Sequence, residues 1–462
     1  MRNVFMLSLV GLTGCGLYWG GGDDDVSVGQ LQEVLVMPTM PTHDLDLLFV
    51  IDDSPSMLDK QVNLRAAFPH FMDQLTSLPN GLPNVHIGVV TSDMGAMSTE
   101  GVIGPTIGGS VGGCSGAGKD GQLQLFEAAS DVTGKFISDV DDGVGGRMRN
   151  YVGALRDVFS AISNAGAAGC GFEQHLSAMH GALSANNTAN AGFLRPDANL
   201  GVVILADEDD CSFSDPQLLT GDTTVLGPLQ SMRCTHYGVT CDSDGTTPDA
   251  MNQVGAKSGC HANKTSPYVA DVAPYADFLK GLKADPAQVA VAAIVGTTTP
   301  FEIELRAPSG STQAIPALAH SCTYTDSSAQ LEVADPAVRL AEFTSSFGAR
   351  GAVETICQSD LALPLTDVGL TMRGMMNPDG CLTRPLVDTA PEVAGVQPLC
   401  EVQDLDTQLP SCAAASPGSD CWRALQDPNT CPDSPANLRI EIDRAAVQTT
   451  QRYAHVRCLV AH

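Results

Sequence analysis

Apolar runs alternate along this chain with segments of helical spacing. Leu45-Asp46-Leu47-Leu48-Phe49-Val50-Ile51 is nearly continuous, and Val85–Val90, Gly201–Ala206 and Val289–Val295 repeat the pattern. Unbroken runs of this length predict strands buried on both faces rather than half-exposed ones. After the first run, Leu64, Phe68, Phe71, Leu75 and Leu78 follow one helix face, with Pro69 expected to kink or interrupt it. Phe172, Leu176, Met179 and Leu183 are spaced the same way, and further helices are expected near Tyr275–Leu282, Val338–Phe347 and Asp360–Met376, with a strand at Ala352–Ile356. Strands alternating with helices predict an α/β domain over residues 43–380, an open, mostly parallel sheet with helices on both faces. Gly-rich stretches near 95–150 and 211–268 lack a period and read as long, disulfide-pinned insertions. From residue 381 to 462, six cysteines separated by prolines and an expected strand pair, Leu438–Ile442 with Tyr453–Leu459, read as a small Cys-rich β region.

The first residues add an address. MRNVFMLSLVGLTGCG has one early charge, Arg2, then an apolar run from Val4 to Leu12. That run is too short for a membrane helix, which needs about 20 residues, and has the layout of a secretory signal. Leu12-Thr13-Gly14-Cys15 resembles the lipobox of bacterial lipoproteins. The resemblance implies removal of residues 1–14 and acylation of Cys15, hence attachment to the cell envelope, at the outer membrane or cell surface. The Gly/Asp-rich stretch 15–42 then reads as a flexible tether.

Cysteine count agrees with export. Of 15 cysteines, setting Cys15 aside leaves an even number, and no CxxC occurs. About seven disulfides formed in an oxidising compartment are expected, with connectivity open. Zinc at Cys234-Thr-His236 or Cys260-His261 is the lesser alternative. With 53 acidic and 24 basic residues the net charge is −29, which argues against nucleic acid or anionic lipid headgroups as partners.

The main chemical signal follows the first strand: Ile51-Asp52-Asp53-Ser54-Pro55-Ser56-Met57. Asp52, Ser54 and Ser56 form a D-x-S-x-S loop that offers hard oxygen donors on one side of a small divalent cation. The motif resembles the metal-ion-dependent adhesion site of the von Willebrand factor A domain family. That resemblance implies bound Mg²⁺ or Ca²⁺, a coordination position completed by an acidic side chain of a partner protein, and a further aspartate ligand at the end of the fourth strand. Asp207, at the start of Asp207-Glu208-Asp209-Asp210, takes that place, on a strand the fold would set beside the first. Asp209 is a further candidate ligand. The family's threonine ligand has no counterpart in Gly169-Cys170-Gly171-Phe172-Glu173: either Glu173 substitutes, or the position is lost and Cys170 is disulfide-bonded.

Other signals are weaker. Asp242-Ser243-Asp244-Gly245 opens like a calcium loop but lacks the later ligands of an EF-hand. Gly113–Lys119 satisfies G-x-x-x-x-G-K, yet Asp120 stands where Ser or Thr would hold Mg²⁺, and no apolar strand precedes it. The expectation is a non-enzymatic, lipid-anchored adhesion or binding protein. The alternatives are a structural envelope lipoprotein with a degenerate or purely stabilising metal site and, less favoured, a hydrolase.

Overall fold

The computed structural model describes residues 32–38, 42–78, 81–109, 112–308, 312–326, 328–376, 380–404, 407–431, 434–446 and 453–461. The signal segment, Cys15 and most of the tether lie outside the described residues.

Seven strands form the central sheet: β1 (Asp44–Ile51), β2 (Asn84–Thr91), β3 (Ile137–Asp141), β4 (Arg147–Arg149), β5 (Asn199–Leu205), β6 (Val289–Val295) and β7 (Gly351–Thr355). Their order is β7-β6-β5-β1-β2-β3-β4. The five from β7 to β2 are parallel, and β3 and β4 are antiparallel additions at one edge. Every residue of β5 and β6 is buried, as their unbroken apolar runs require.

Helices cover both faces. Leu45, Leu47, Phe49 and Ile51 point to one side, where α1 (Leu58–Thr76), α2 (Leu155–Ile162) and, further along the chain, the helix Ala362–Met375 pack. Leu48 and Val50 point to the other, against α3 (His175–Leu183), α4 (Ala273–Gly281) and α5 (Val338–Ser345). Phe49 lies among Phe68, Phe71 and Phe159, with ring centroids 4.9–6.3 Å away. This aromatic cluster accounts for α1 continuing through Pro69, an interruption that costs about 3 kcal/mol. The expected break is absent because the buried face of α1 outweighs it. Close packing also dictates glycine at position 201, where a Cβ would stand 2.6 Å from Met372 Sδ and 2.7 Å from Leu47 Cδ2. Gly201→Ala is expected to lower stability by about 1–3 kcal/mol in denaturant titration, an overpacking effect.

Several expectations are corrected by long-range pairing. Part of the 95–150 stretch, expected as an insertion with short strands, extends the edge of the central sheet as β3 and β4. Gln32–Pro38, expected within the tether, is a strand antiparallel to Tyr453–Leu459. Leu438–Asp443 and Tyr453–Leu459 are both strands but not partners: the first pairs with Cys421–Gln426, the second with Gln32–Pro38 and Cys400–Asp404. After β6, a stretch not singled out from the sequence contributes the strands Phe301–Arg306 and Ile315–Leu318 and the hairpin Cys322–Thr325/Leu331–Ala334.

All 14 described cysteines pair: Cys114–Cys170, Cys211–Cys234, Cys241–Cys260, Cys322–Cys357, Cys381–Cys431, Cys400–Cys458 and Cys412–Cys421. Cys234 and Cys260 are thereby removed as zinc ligands. Seven disulfides fit a chain that folds in an oxidising, extracytoplasmic compartment. Among the described residues, no helix is long and apolar enough to cross a membrane.

Candidate metal centre

Strand order reverses between β1 and β5, which pair in parallel, and open α/β sheets bind ligands beyond the carboxyl ends of strands at such a switch point. Asp52 and Asp207 both follow those ends. The Asp52 amide donates to Leu205 O at 2.9 Å, joining the two loops directly.

From there the D-x-S-x-S segment turns into α1. Asp52 Oδ1 accepts from the Ser54 amide at 2.7 Å and from Ser92 Oγ at 3.2 Å. Ser54 Oγ lies 3.2 Å from Ser56 Oγ, which donates to Asp207 Oδ1 at 3.1 Å. Four sequence-predicted residues, Asp52, Ser54, Ser56 and Asp207, are therefore linked in one oxygen cluster. Asp52 is wholly buried, and its Oδ2 has no hydrogen-bond partner. His175 Nε2 is 3.6 Å from that oxygen, an ion-pair distance too long for a hydrogen bond. Burial alone would lower the His175 pKa, but Asp52, Asp210 and Asp209 together raise it.

Burial also dominates the carboxylates. Asp207 is pushed up to about 7, first by burial and then by Asp52, against the pull of Lys60 and Ser56. Glu173 and Glu208 lie well above the ordinary glutamate value, each through burial first, then through neighbouring carboxylates. The donor set thus combines hard oxygens, a buried carboxylate oxygen that lacks a hydrogen bond and crowded negative charge, which fits a divalent cation. Asp52, Ser54, Ser56 and Asp207 would hold it, with Glu173 and Glu208 beside them.

The run Asp207–Asp210 divides by role. Asp209 accepts the Arg339 and Leu340 amides at 2.8 and 3.0 Å, one on each oxygen, and so caps α5. Asp210 accepts the Leu176 amide at 3.0 Å and the Arg339 guanidinium at 3.0 Å, holding the start of α3. Both oxygens of Asp209 accept amides, so the structure gives it the role of a cap, and no hydrogen bond links it to the Asp52–Ser54–Ser56–Asp207 cluster among the described residues. Asp209→Ala should cost about 0.5–2 kcal/mol of stability by thermal melting and leave cation affinity within twofold of wild type.

Sequence reasoning missed Ser92, His175, Glu208 and Lys60, whose contacts come from remote elements. Asp53 turns away from the cluster and pairs with Lys119, the lysine of the dismissed phosphate-loop pattern. Against Asp53, position 169 has no room for a side chain: a Cβ there would stand 2.3 Å from Asp53 Oδ1. Cys170 is bonded to Cys114, which settles its role in the loop lacking threonine. Cys412, Cys421 and Asp443 also lie close together, but those sulfurs form a disulfide.

Above the oxygen cluster opens a cleft of about 660 Å³. Ser56, Glu173, Asp207 and Glu208 line one side, and Phe172, Met232, Leu318 and Val333 supply apolar walls. Most of those walls come from segments outside the central sheet.

Fold and site together define a disulfide-braced α/β protein with a carboxylate-and-hydroxyl cluster at the switch point of its sheet. No family model matches the chain, and no curated protein matches it. Matches among solved structures include the pilus adhesin RrgA from Streptococcus pneumoniae, at 10% identity and a TM-score of 0.22. That alignment covers 94% of this chain and 60% of the adhesin chain, so this chain spans less than two thirds of that protein's length. A likeness at this TM-score carries no argument about fold or function.

Proposed function

We propose that this chain is an exported, lipid-anchored protein whose von Willebrand factor A-like domain binds a partner protein at the bacterial cell envelope through Mg²⁺ or Ca²⁺. The observation that carries the reading is the convergence of Asp52, Ser54, Ser56 and Asp207 at the β1/β5 switch point, with Asp52 Oδ2 buried and without a hydrogen bond. A bound cation supplies an electrophilic centre for an acidic side chain of the partner. The chain's own residues orient the oxygens: Ser54 and Ser92 hold Asp52, and Ser56 holds Asp207. The cleft walls then shape what reaches them, and the role is binding rather than catalysis.

A second reading, a structural protein with a degenerate site, is favoured by one contact. The Lys60 ammonium lies 3.3 Å from Asp207 Oδ2 and already supplies positive charge to the cluster. Calorimetric titration of the full chain with Mg²⁺ and Ca²⁺ separates the two. Heat of binding, with chelator-sensitive capture of a protein from native envelopes, is expected on the first reading; absence of binding to either cation supports the second. For the anchor, intact mass of the mature N-terminus should show acylated Cys15, and a chain starting elsewhere without lipid would refute it.

A further inference from the structure

Lys60 lies one turn into the site, on the first helix after the D-x-S-x-S loop, with its side chain 1% exposed. A buried ammonium is costly unless paired, and this one has four oxygen neighbours. Asp207 Oδ2 is 3.3 Å away, Glu332 Oε2 3.1 Å, Asp59 Oδ1 3.4 Å and the Ser56 carbonyl 3.0 Å. Glu332 belongs to the Cys322–Thr325/Leu331–Ala334 hairpin, whose Tyr324 donates a hydrogen bond to Asp59. Asp207 itself divides its oxygens between two calls on them: Oδ1 takes the Ser56 hydroxyl and Oδ2 faces the ammonium.

We propose that Lys60 is a tethered cationic competitor that sets the divalent-cation affinity of the cluster by sharing Asp207 with the ion. This inference rests on the metal-dependent reading above. Its physics is simple: a fixed positive charge in contact with a ligand carboxylate repels a second cation and spends part of that carboxylate's charge. Asp59 and Glu332 are the alternative partners that draw the ammonium away from Asp207. Lys60 is a positioning residue, since it acts on the ion through Asp207.

Two substitutions give opposite signs. Lys60→Met keeps the aliphatic stem and removes the charge, so Mg²⁺ affinity should rise by about tenfold. Glu332→Gln removes one alternative partner, commits the ammonium more fully to Asp207, and should weaken Mg²⁺ binding by about threefold. A residue that merely held the loop in shape would weaken binding in both variants. Calorimetry on the full-length wild type and both variants, with circular dichroism to verify folding, provides the test. If wild type binds Mg²⁺ and Lys60→Met binds no tighter, the inference is overturned while the metal reading stands. Should Lys60→Met fail to fold, Lys60→Gln takes its place: tighter Mg²⁺ binding supports the inference, and unchanged or weaker binding overturns it. No binding in any folded variant, wild type included, overturns both.

Discussion

Asp52→Asn is expected to weaken Mg²⁺ binding by at least about a hundredfold while leaving the fold intact. The amide is nearly isosteric and keeps an oxygen where the Ser54 amide and Ser92 hydroxyl donate, so the turn into α1 retains its hydrogen bonds. What disappears is the charge behind Oδ2, which is buried with no hydrogen-bond partner. Removing one member of a buried charge pair costs roughly 3–5 kcal/mol, and about 2.8 kcal/mol already corresponds to a hundredfold in affinity. Metal-free stability should not suffer in proportion, because the amide relieves the repulsion by which Asp52 raises the pKa of Asp207 and Glu173, and this offsets the lost attraction to His175. Calorimetry and thermal melting with and without Mg²⁺ check both halves. Wild-type affinity in Asp52→Asn would remove Asp52 from the ligand set.

The second large effect is on pH. With its pKa pushed up to about 7, Asp207 keeps a proton in the folded, metal-free protein that the unfolded chain, near 3.8, has released. Between about pH 4 and about pH 7 the folded state thus holds more protons than the unfolded chain, and this group's contribution to stability falls as pH rises. Glu173 and Glu208, also raised, act in the same direction. Cation binding opposes the trend, since it draws on ionised carboxylates. The rise in melting temperature produced by Mg²⁺ should therefore grow from about pH 5 to about pH 8, with affinity changing about tenfold per pH unit below about 7. A stabilisation that is flat across this range, or greatest in acid, would count against Asp207 as a ligand.

Much of the fold was legible from local pattern. The buried strands β5 and β6 and residues 45–51 of β1 read as nearly unbroken apolar runs, and α1 as a stripe from Leu64 to Leu75. Both signals depend on residues within a few positions of each other, where periodicity reports burial. Pro69 misled because the penalty for proline is local, while the aromatic cluster that outweighs it comes from β1 and α2. The pairing of Gln32–Pro38 with Tyr453–Leu459 was hidden for the same reason: a strand names its own faces but not its partner.

At the candidate site the division is similar. The sequence by itself determined that three oxygen-bearing side chains follow a buried strand at alternate positions, and that an aspartate ends another such strand. It also determined an even set of cysteines beside Cys15, though not how they join. Only the tertiary structure decided which carboxylates of Asp207–Asp210 face the cluster. Asp209 and Asp210 go to helix starts whose amides lie 130 and 34 residues away in the chain. Tertiary structure likewise brought Lys60 of α1, Asp207 after β5 and Glu332 of a distant hairpin to one point. Composition and spacing specify what each side chain offers, but charge interactions fall off with distance in space, and that distance is set by the fold.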